Sequence, residues 1–452
     1  MIRFKLLALG FLFFGLTVNA QLSVVKINGV LSSSDGGTAL NGPGTIINLM
    51  SYKMGEGYFG AKVDSNGNFT YSVSINQTTL YNLKYGGFKM EVLLCPTEPE
   101  IKIEIKADSA EVKSMKVVGS HEYDAYREFK HADKAFKDKL HTLLVGCAKD
   151  KGCAQQLKKE SEEFNKSLVQ LSQTYKGTFA GDVLAPMDQM PEINTALPVI
   201  AQLREHFFDK ANLSDAAIYT TSDMSYNLSE YLDDIADTTA NGRKNFIEAM
   251  YAKTKNNAGG QRELISMFLA DFMEGNREDY MTSLSNWAEG HTQLATEQPV
   301  LAMRFKKLAL AVPGKPASEV TGTDVNDQEA KLSSVFKEQK LTLLLFWASD
   351  CPHCRASMPE ITKMYEQYHS KGLEIFAVSL EGDKEKWKQF MTEKKLPWKN
   401  ALLNRHDFSP NDYFLQFTPT LVLIDQKGVI LHRFMSIAQF DKAIGKILSS
   451  KK

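Results

Sequence analysis

Two cysteines with two residues between them are the part of this 452-residue chain that could carry out redox chemistry. Cys351 and Cys354 follow an apolar run, residues 341–346, that predicts a buried strand. A helical pattern starts at Arg355, so Cys351 is expected at a helix N-terminus. There the free backbone N–H groups and the helix dipole favour an anion, which lowers the thiol pKa. Because Cys354 lies three residues further on, it shares a helix face with Cys351 and can close a disulfide.

The residues around the two cysteines help to distinguish a redox dithiol from a metal site. Pro352 suits the first position of a helix, because its fixed φ fits and no N–H is lost there. A zinc site would need two more ligands, and no second cysteine pair or pair of histidines stands nearby in the sequence, so we predict no metal. A purely structural disulfide between Cys351 and Cys354 stays open at this point.

A proline far along the chain supplies a second signal. Phe417, Thr418 and Pro419 lead directly into an apolar strand pattern at 421–425. Together with the dithiol, this arrangement over residues 312–452 resembles the thioredoxin superfamily. The resemblance implies that Pro419 is a cis-proline beside the nucleophilic sulfur. It also implies that Thr418 offers its backbone to an extended substrate segment, and that Trp347 packs beside the active-site turn unless it serves the core alone.

The resemblance can be narrowed to one branch of that superfamily. A hairpin around 324–327 and an extra helix and strand between 381 and 403 are similar to the TlpA/ResA branch of exported thiol–disulfide oxidoreductases. In that branch Cys351 would attack a partner disulfide, and Cys354 would resolve the mixed disulfide. Peroxiredoxins are disfavoured, since the proline and threonine of their pattern correspond here to Leu344 and Ala348.

Two positions depart from the family pattern. Thioredoxins carry a buried aspartate where this chain has Leu345, and ResA-like reductases carry a glutamate where it has Ser357. Glu381 is a candidate substitute because it follows the neighbouring strand at the end facing the active site; the alternative is a solvated loop residue. His353 is expected to stabilise the Cys351 thiolate and Asp350 to oppose it, so the direction of exchange stays open.

The N-terminus predicts export. Arg3 and Lys5 precede an apolar core at 6–16 and small residues at 18–20, which is the pattern of a secretory signal peptide over residues 1–20. We therefore expect a periplasmic protein. The apolar run at 6–16 is too short to span a bilayer, and no other stretch of the sequence is long enough. The balance of 53 basic and 54 acidic residues gives no electrostatic reason to expect nucleic-acid binding.

The remaining pattern predicts a multidomain α+β protein. Residues 21–120 favour an antiparallel β-sandwich, with period-two alternation at 101–106 and a hairpin of residues 58–63 and 69–75 around Asn66-Gly67. Residues 121–310 favour a central helical domain. A linker at 312–316 leads into a thioredoxin-like α/β domain at 312–452.

The other three cysteines are expected to be structural. Cys147 and Cys153 bracket a short loop between two helical patterns and could form a stabilising disulfide in an oxidising compartment. Two free thiols or a second redox pair are the alternatives. Cys95 is expected to be a small buried hydrophobic residue.

The sequence is compatible with two functions. The first is an exported oxidoreductase that acts on protein disulfides or dithiols, needs no cofactor and uses an unidentified redox partner protein. The second is a partner-binding scaffold whose β and helical regions bind another protein, with the dithiol domain as an accessory or regulatory element.

Overall fold

The computed structural model describes residues 22–34, 45–52, 57–108, 111–147, 153–403 and 410–449. The predicted signal peptide, residues 1–20, lies outside them. The described chain forms two compact units. The first consists of residues 22–138, 163–189 and 220–222, and the second consists of residues 139–162, 190–219 and 223–449. These units divide the predicted helical region, so a separate domain at 121–310 stays a prediction.

The first unit contains two four-stranded sheets, with strand orders β4-β1-β7-β8 and β3-β2-β5-β6. Apolar side chains from both sheets form one hydrophobic cluster. In β4 and β7 buried and exposed residues alternate, as the period-two pattern predicts. The strands are β1 (Ser23–Ser32), β2 (Ile46–Ser51), β3 (Tyr58–Lys62), β4 (Asn68–Ile75), β5 (Thr79–Tyr85), β6 (Phe88–Leu94), β7 (Glu100–Asp108) and β8 (Glu111–Val118).

Two predictions about these strands are wrong. The region is not wholly antiparallel, because β1 and β7, which are far apart in sequence, are neighbours in one sheet and pair in parallel. The strands flanking Asn66-Gly67 are not hairpin partners either: in the described residues β3 pairs with β2, and β4 pairs with β1. The turn itself forms, with Gly67 at φ 83° and Asp64 Oδ1 accepting from the N–H groups of Asn66 and Asn68. It carries the chain from one sheet to the other.

Most of the described residues between His121 and Ala311 are helical. Two π-helical turns, Ala180–Leu184 and Tyr231–Ile235, and one 3₁₀ turn, Ala216–Tyr219, interrupt the α-helices. The helices are α1 (His121–Cys147), α2 (Cys153–Thr174), α3 (Ala185–Met187), α4 (Val199–His206), α5 (Asp223–Glu230), α6 (Ala240–Ala252), α7 (Ala258–Glu274), α8 (Glu278–Gly290), α9 (Leu294–Glu297) and α10 (Pro299–Ala311). None of the described helices is long and apolar enough to cross a membrane.

The last part of the chain builds a seven-stranded mixed sheet in the order β10-β9-β13-β12-β11-β14-β15. Its elements follow the predicted order closely. They are β9 (Thr321–Thr323), β10 (Glu329–Lys331), α11 (Leu332–Phe336), β11 (Leu341–Trp347), α12 (Pro352–Tyr368), β12 (Leu373–Ser379), α13 (Lys384–Lys394), β13 (Lys399–Leu403), β14 (Thr420–Asp425), β15 (Ile430–His432) and α14 (Ile437–Ser449), with 3₁₀ turns at His369–Lys371 and Pro410–Tyr413.

The central strand β11 is buried on both faces. Alternate residues belong to two hydrophobic clusters: Leu343 and Leu345 pack with α12, α13 and α14, whereas Leu344 and Phe346 pack on the side of α11. A sheet covered on both faces needs a continuous apolar strand, and that is the sequence of β11. The thioredoxin-like α/β architecture is therefore confirmed for this region.

The predicted linker at 312–316 is an ordered part of this sheet region. The N–H of Gly314 donates to the carbonyl oxygen of Ile430 at 2.8 Å, and the N–H of Ile430 donates to that of Lys315 at 2.9 Å. Val312 is buried. The segment therefore runs along β15, held by these backbone hydrogen bonds.

Candidate active site: a dithiol at the start of a helix

Cys351 occupies the N-cap position of α12. Its Sγ accepts a hydrogen bond from the N–H of Cys354 at 3.3 Å, and Pro352 takes the first turn, where its missing N–H costs nothing. The chain leaves β11 at Trp347 and enters α12 at Pro352, so a short turn places the sulfur at the helix N-terminus. This is the position that the spacing of the cysteines predicts.

The loop before β14 forms the opposite side of the site. The peptide bond between Thr418 and Pro419 is cis. The Sγ of Cys351 lies 3.5 Å from the carbonyl oxygen of Thr418, to which the thiol donates. The hydroxyl of Thr420 donates to the carbonyl oxygen of Phe417 at 2.8 Å and so fastens the same loop. The structure therefore brings Thr418 and Pro419 to the first cysteine, although they are far apart in sequence.

The two thiols have opposite environments. Burial acts to raise the pKa of Cys351. Hydrogen bonds to its sulfur from the side chains of Cys354 and Thr418 and from the backbone N–H groups of Cys354 and His353 outweigh burial and lower that pKa. Cys354 is fully buried, and burial together with the neighbouring Cys351 raises its pKa to about 11. Both are free thiols in this structure. One sulfur is thus prepared to react as a thiolate while the other holds its proton.

Trp347 is buried in the same hydrophobic cluster as Cys354. Its ring lies 5.5 Å from that of Phe390 on α13, measured between centroids. Its carbonyl oxygen accepts from the N–H of Leu380 at 2.8 Å. No described residue accepts a hydrogen bond from its indole N–H. The side chain is therefore a core residue that packs in the cluster containing Cys354.

Glu381 contacts the active-site turn directly. Its Oε1 accepts from the N–H of Ser349 at 2.6 Å, and Ser349 is itself buried two residues before Cys351. Its second oxygen, Oε2, is buried and has no hydrogen-bond partner among the described residues. The carboxylate is therefore half-buried against the turn. At the two positions that depart from the family pattern, Leu345 is fully buried and Ser357 is half-buried.

The residues flanking the dithiol are exposed. His353 presents its side chain to solvent, while its backbone N–H faces the Cys351 sulfur. Asp350 lies 3.8 Å from the Nζ of Lys386, with both side chains more than half exposed. Solvent screens charges placed in this way, so their influence on Cys351 is expected to be modest.

The remaining cysteines lie elsewhere. Cys95 is a buried free thiol at the end of β6, where burial raises its pKa, and the carboxylate of Glu122 adds to the rise. Cys153 takes part in a disulfide, and its Sγ lies 3.3 Å from the carbonyl oxygen of Leu143. The side chain of Cys147 lies outside the described part of the chain, so the predicted Cys147–Cys153 pair stays a prediction.

The sequence did not point to one charged group near the site. Arg433 is buried and donates two hydrogen bonds to the carbonyl oxygen of Tyr413, just before the loop that ends at Pro419. Arg433 directly follows the last strand, β15, and stands between His432 and Phe434 in the sequence. The carbonyl oxygen that Arg433 binds belongs to Tyr413, twenty residues earlier in the chain, and a local sequence pattern does not reveal such a contact.

Comparison with known proteins agrees with this geometry. Residues 312–442 match the Redoxin family. The chain is 31% identical over 125 residues to the thiol-disulfide oxidoreductase ResA of Geobacillus kaustophilus, which covers 28% of this chain and 70% of that protein. It is 25% identical over 131 residues to the thiol:disulfide interchange protein DsbE of Pseudomonas aeruginosa, covering 29% and 71% respectively.

One solved structure also shares sequence similarity with this chain. The solution structure of a thiol:disulfide interchange protein from a Bacteroides species shares 26% identity, covers 32% of this chain and 94% of that one, and gives a TM-score of 0.30. The match to ResA reaches 31% identity and extends over 70% of that protein. Through its C-terminal Redoxin domain, the chain therefore belongs to the ResA-like thiol–disulfide oxidoreductases.

Proposed function

We propose that this protein is an exported thiol–disulfide oxidoreductase that exchanges protein disulfides through Cys351 and Cys354. The observation that carries the proposal is the asymmetry of the dithiol: the half-exposed Cys351 has a lowered pKa, and the buried Cys354 has a raised one. A thiolate is the attacking species in thiol–disulfide exchange, so the two sulfurs are suited to different steps.

The exchange follows from that asymmetry. The thiolate of Cys351 attacks one sulfur of a partner disulfide, the partner S–S bond breaks, and the other partner sulfur leaves as a thiolate. Cys354 then gives up its proton and attacks the Cys351 sulfur, which releases the partner's second thiolate and closes the Cys351–Cys354 disulfide. Two electrons pass from the protein to the partner, and the reverse sequence oxidises a partner dithiol.

The surrounding residues support these steps. Thr418 pairs its backbone with an extended partner segment in this proposal; the support is the contact of its carbonyl oxygen with Cys351 Sγ beside the cis-proline Pro419. Glu381 holds the turn before Cys351 through Ser349, and its unpaired oxygen is a candidate acceptor for the proton that Cys354 loses. Trp347 packs in the same cluster as Cys354, and the backbone N–H of His353 donates a hydrogen bond to the Cys351 sulfur.

Export and the redox partner are also part of the proposal. The support for export is the signal-peptide pattern at residues 1–20, which predicts a periplasmic location. A periplasmic dithiol protein that turns over needs a second redox protein to reset it, because exchange leaves it in the opposite oxidation state. Protein thiols and disulfides are the proposed substrates.

An insulin-reduction assay tests the activity. Wild type should reduce insulin disulfides with dithiothreitol as electron donor, and Cys351→Ser should lower the rate to that of dithiothreitol alone. Cys354→Ser should retain a partner as a mixed disulfide through Cys351, identifiable by mass spectrometry after digestion. Wild-type turnover no faster than that of Cys351→Ser would instead favour the scaffold function, with the dithiol domain as an accessory element.

A further inference from the structure

A glutamate outside the Redoxin match contacts the redox domain. Glu278 is the first residue of α8, whereas the family match begins at residue 312. Its Oε2 accepts from the backbone N–H of Arg433 at 2.6 Å, and its Oε1 lies 2.7 Å from Nδ1 of His432. The Glu278 side chain is only 12% exposed, so little solvent screens its charge.

Arg433 connects this carboxylate to the loop of the active site. Its guanidinium donates from Nε and Nη2 to the carbonyl oxygen of Tyr413, at 3.4 and 3.3 Å, and lies 4.7 Å from the ring centroid of Phe434. Burial lowers the pKa of Arg433 to about 10, and Glu278 opposes that change. A buried cation without an anion is costly, so the arginine depends on Glu278 for its place in the core.

Tyr413 is the first residue of the loop that runs to Pro419, and the far end of this loop lies beside Cys351. Its side chain is fully buried, and its hydroxyl donates to the carbonyl oxygen of Ser318. Phe414 follows with a left-handed φ of 49° and is buried as well. Four residues later the carbonyl oxygen of Thr418 lies 3.5 Å from Cys351 Sγ. One end of this loop is therefore held by Arg433, and the other end contacts the reactive sulfur.

We infer that Glu278 is a positioning residue for thiol–disulfide exchange: it fixes Arg433, which fixes the loop from Tyr413 to Pro419 against Cys351. The helical region before the Redoxin domain thereby contributes to the active site. This inference rests on the proposed role of Cys351 as the nucleophile. Misplacing a catalytic group by about 1 Å can lower a rate by about a hundredfold, so a contact at this distance from the sulfur is sufficient to matter.

The test compares two acid-to-amide variants of the full-length chain. Glu278→Gln removes the charge that offsets Arg433. Asp233→Asn is the matched control, because Asp233 pairs with Arg277, the residue next to Glu278, at 2.8 Å, and its side chain is 62% exposed. Insulin-reduction kcat/KM and the pH midpoint of Cys351 alkylation are measured well below the unfolding temperature of each variant.

We expect Glu278→Gln to lower kcat/KM about tenfold and to move the alkylation midpoint of Cys351. Asp233→Asn should stay within about twofold and leave the midpoint unchanged. A lower unfolding temperature alone does not move that midpoint, so this measurement separates positioning from general stability. The inference is overturned if Glu278→Gln changes neither quantity, or if both variants change them equally.

A second pair of variants covers the case in which Glu278→Gln does not fold. Arg433→Met removes the buried charge that Glu278 offsets, so Glu278→Gln should fold in that background and add no further loss of kcat/KM. An additional loss there would contradict the proposed chain of contacts. If Cys351→Ser kept wild-type activity, the proposed function would fail instead, whatever the Glu278 variants showed.

Discussion

The N-terminal sheets and the C-terminal sheet bury their strands in different ways. In β7 the isoleucines are buried while Lys102 and Glu104 are exposed, so one face of that strand is exposed to solvent. In β11 every residue is buried, because helices cover both faces. A sheet covered in this way is accessible mainly at the ends of its strands. The reactive Cys351 follows such an end, where β11 passes into α12.

The cysteines of the two regions show what the difference means for chemistry. Cys95 and Cys351 both follow strands, β6 and β11. Cys95 is buried, has the carboxylate of Glu122 nearby, and has a raised pKa. Cys351 receives N–H groups from the start of a helix, and its pKa is lowered. A position after a strand is therefore not sufficient to lower a thiol pKa. The N–H groups at the start of the following helix lower it at Cys351.

The largest expected effect concerns the covered sheet. Leu344→Ser places a hydroxyl and a cavity in a fully buried position of β11, and we expect it to cost about 3 kcal/mol of unfolding free energy. Glu104→Ser on the wet face of β7 should change that free energy by no more than about 0.5 kcal/mol. Urea unfolding followed by circular dichroism measures both. Equal losses would show that the two sheets do not differ in burial as described.

A smaller effect is expected at the turn before Cys351. Glu381→Ala leaves the N–H of Ser349 without its partner, which should cost about 1–2 kcal/mol and slow insulin reduction about tenfold. Glu385→Ala, at an exposed position on α13, is the matched control and should react at the wild-type rate. If both variants behaved like wild type, Glu381 would be a solvated loop residue, the alternative that the sequence allowed.

Local patterns predicted the C-terminal domain well and long-range pairing poorly. The extra helix and strand predicted between residues 381 and 403 form as α13 and β13, and the strand before the dithiol is a continuous apolar run. The parallel pairing of β1 with β7 joins strands far apart in sequence, and no local pattern specifies it. The turn at Asn66-Gly67 was recognised, but its chemistry does not determine whether the next strand stays in the same sheet.

The same division applies to the site. Cys351, Cys354 and Pro419 were predicted as site residues from spacing and from the resemblance to thioredoxins. Arg433 was missed, because the carbonyl oxygen it binds and the glutamate that offsets its charge come from separate parts of the chain. A buried charge is recognised by its partners, and those partners are visible only after folding.

The smallest expected effects are those of the exposed neighbours of the dithiol. His353→Ala should raise the pKa of Cys351 and make the disulfide less oxidising, by up to about 30 mV, because a partial positive charge near the thiolate is lost. Asp350→Ala should shift the potential in the opposite direction and by less, since that carboxylate is solvated. Equilibration with glutathione measures both potentials. An unchanged or more oxidising His353→Ala protein would contradict the assignment of the histidine.

The asymmetry of the dithiol can be measured directly by alkylation of the reduced protein across a pH series, with each cysteine quantified by mass spectrometry. Only the thiolate reacts, so the rate rises as pH passes through the pKa of each thiol. Cys351 should react with a midpoint below about 8.5, the value of a free thiol. Cys354 should react only as the pH approaches about 11, and Cys95 should stay unmodified in the folded protein. Equal midpoints for Cys351 and Cys354, or earlier reaction of Cys354, would contradict the account.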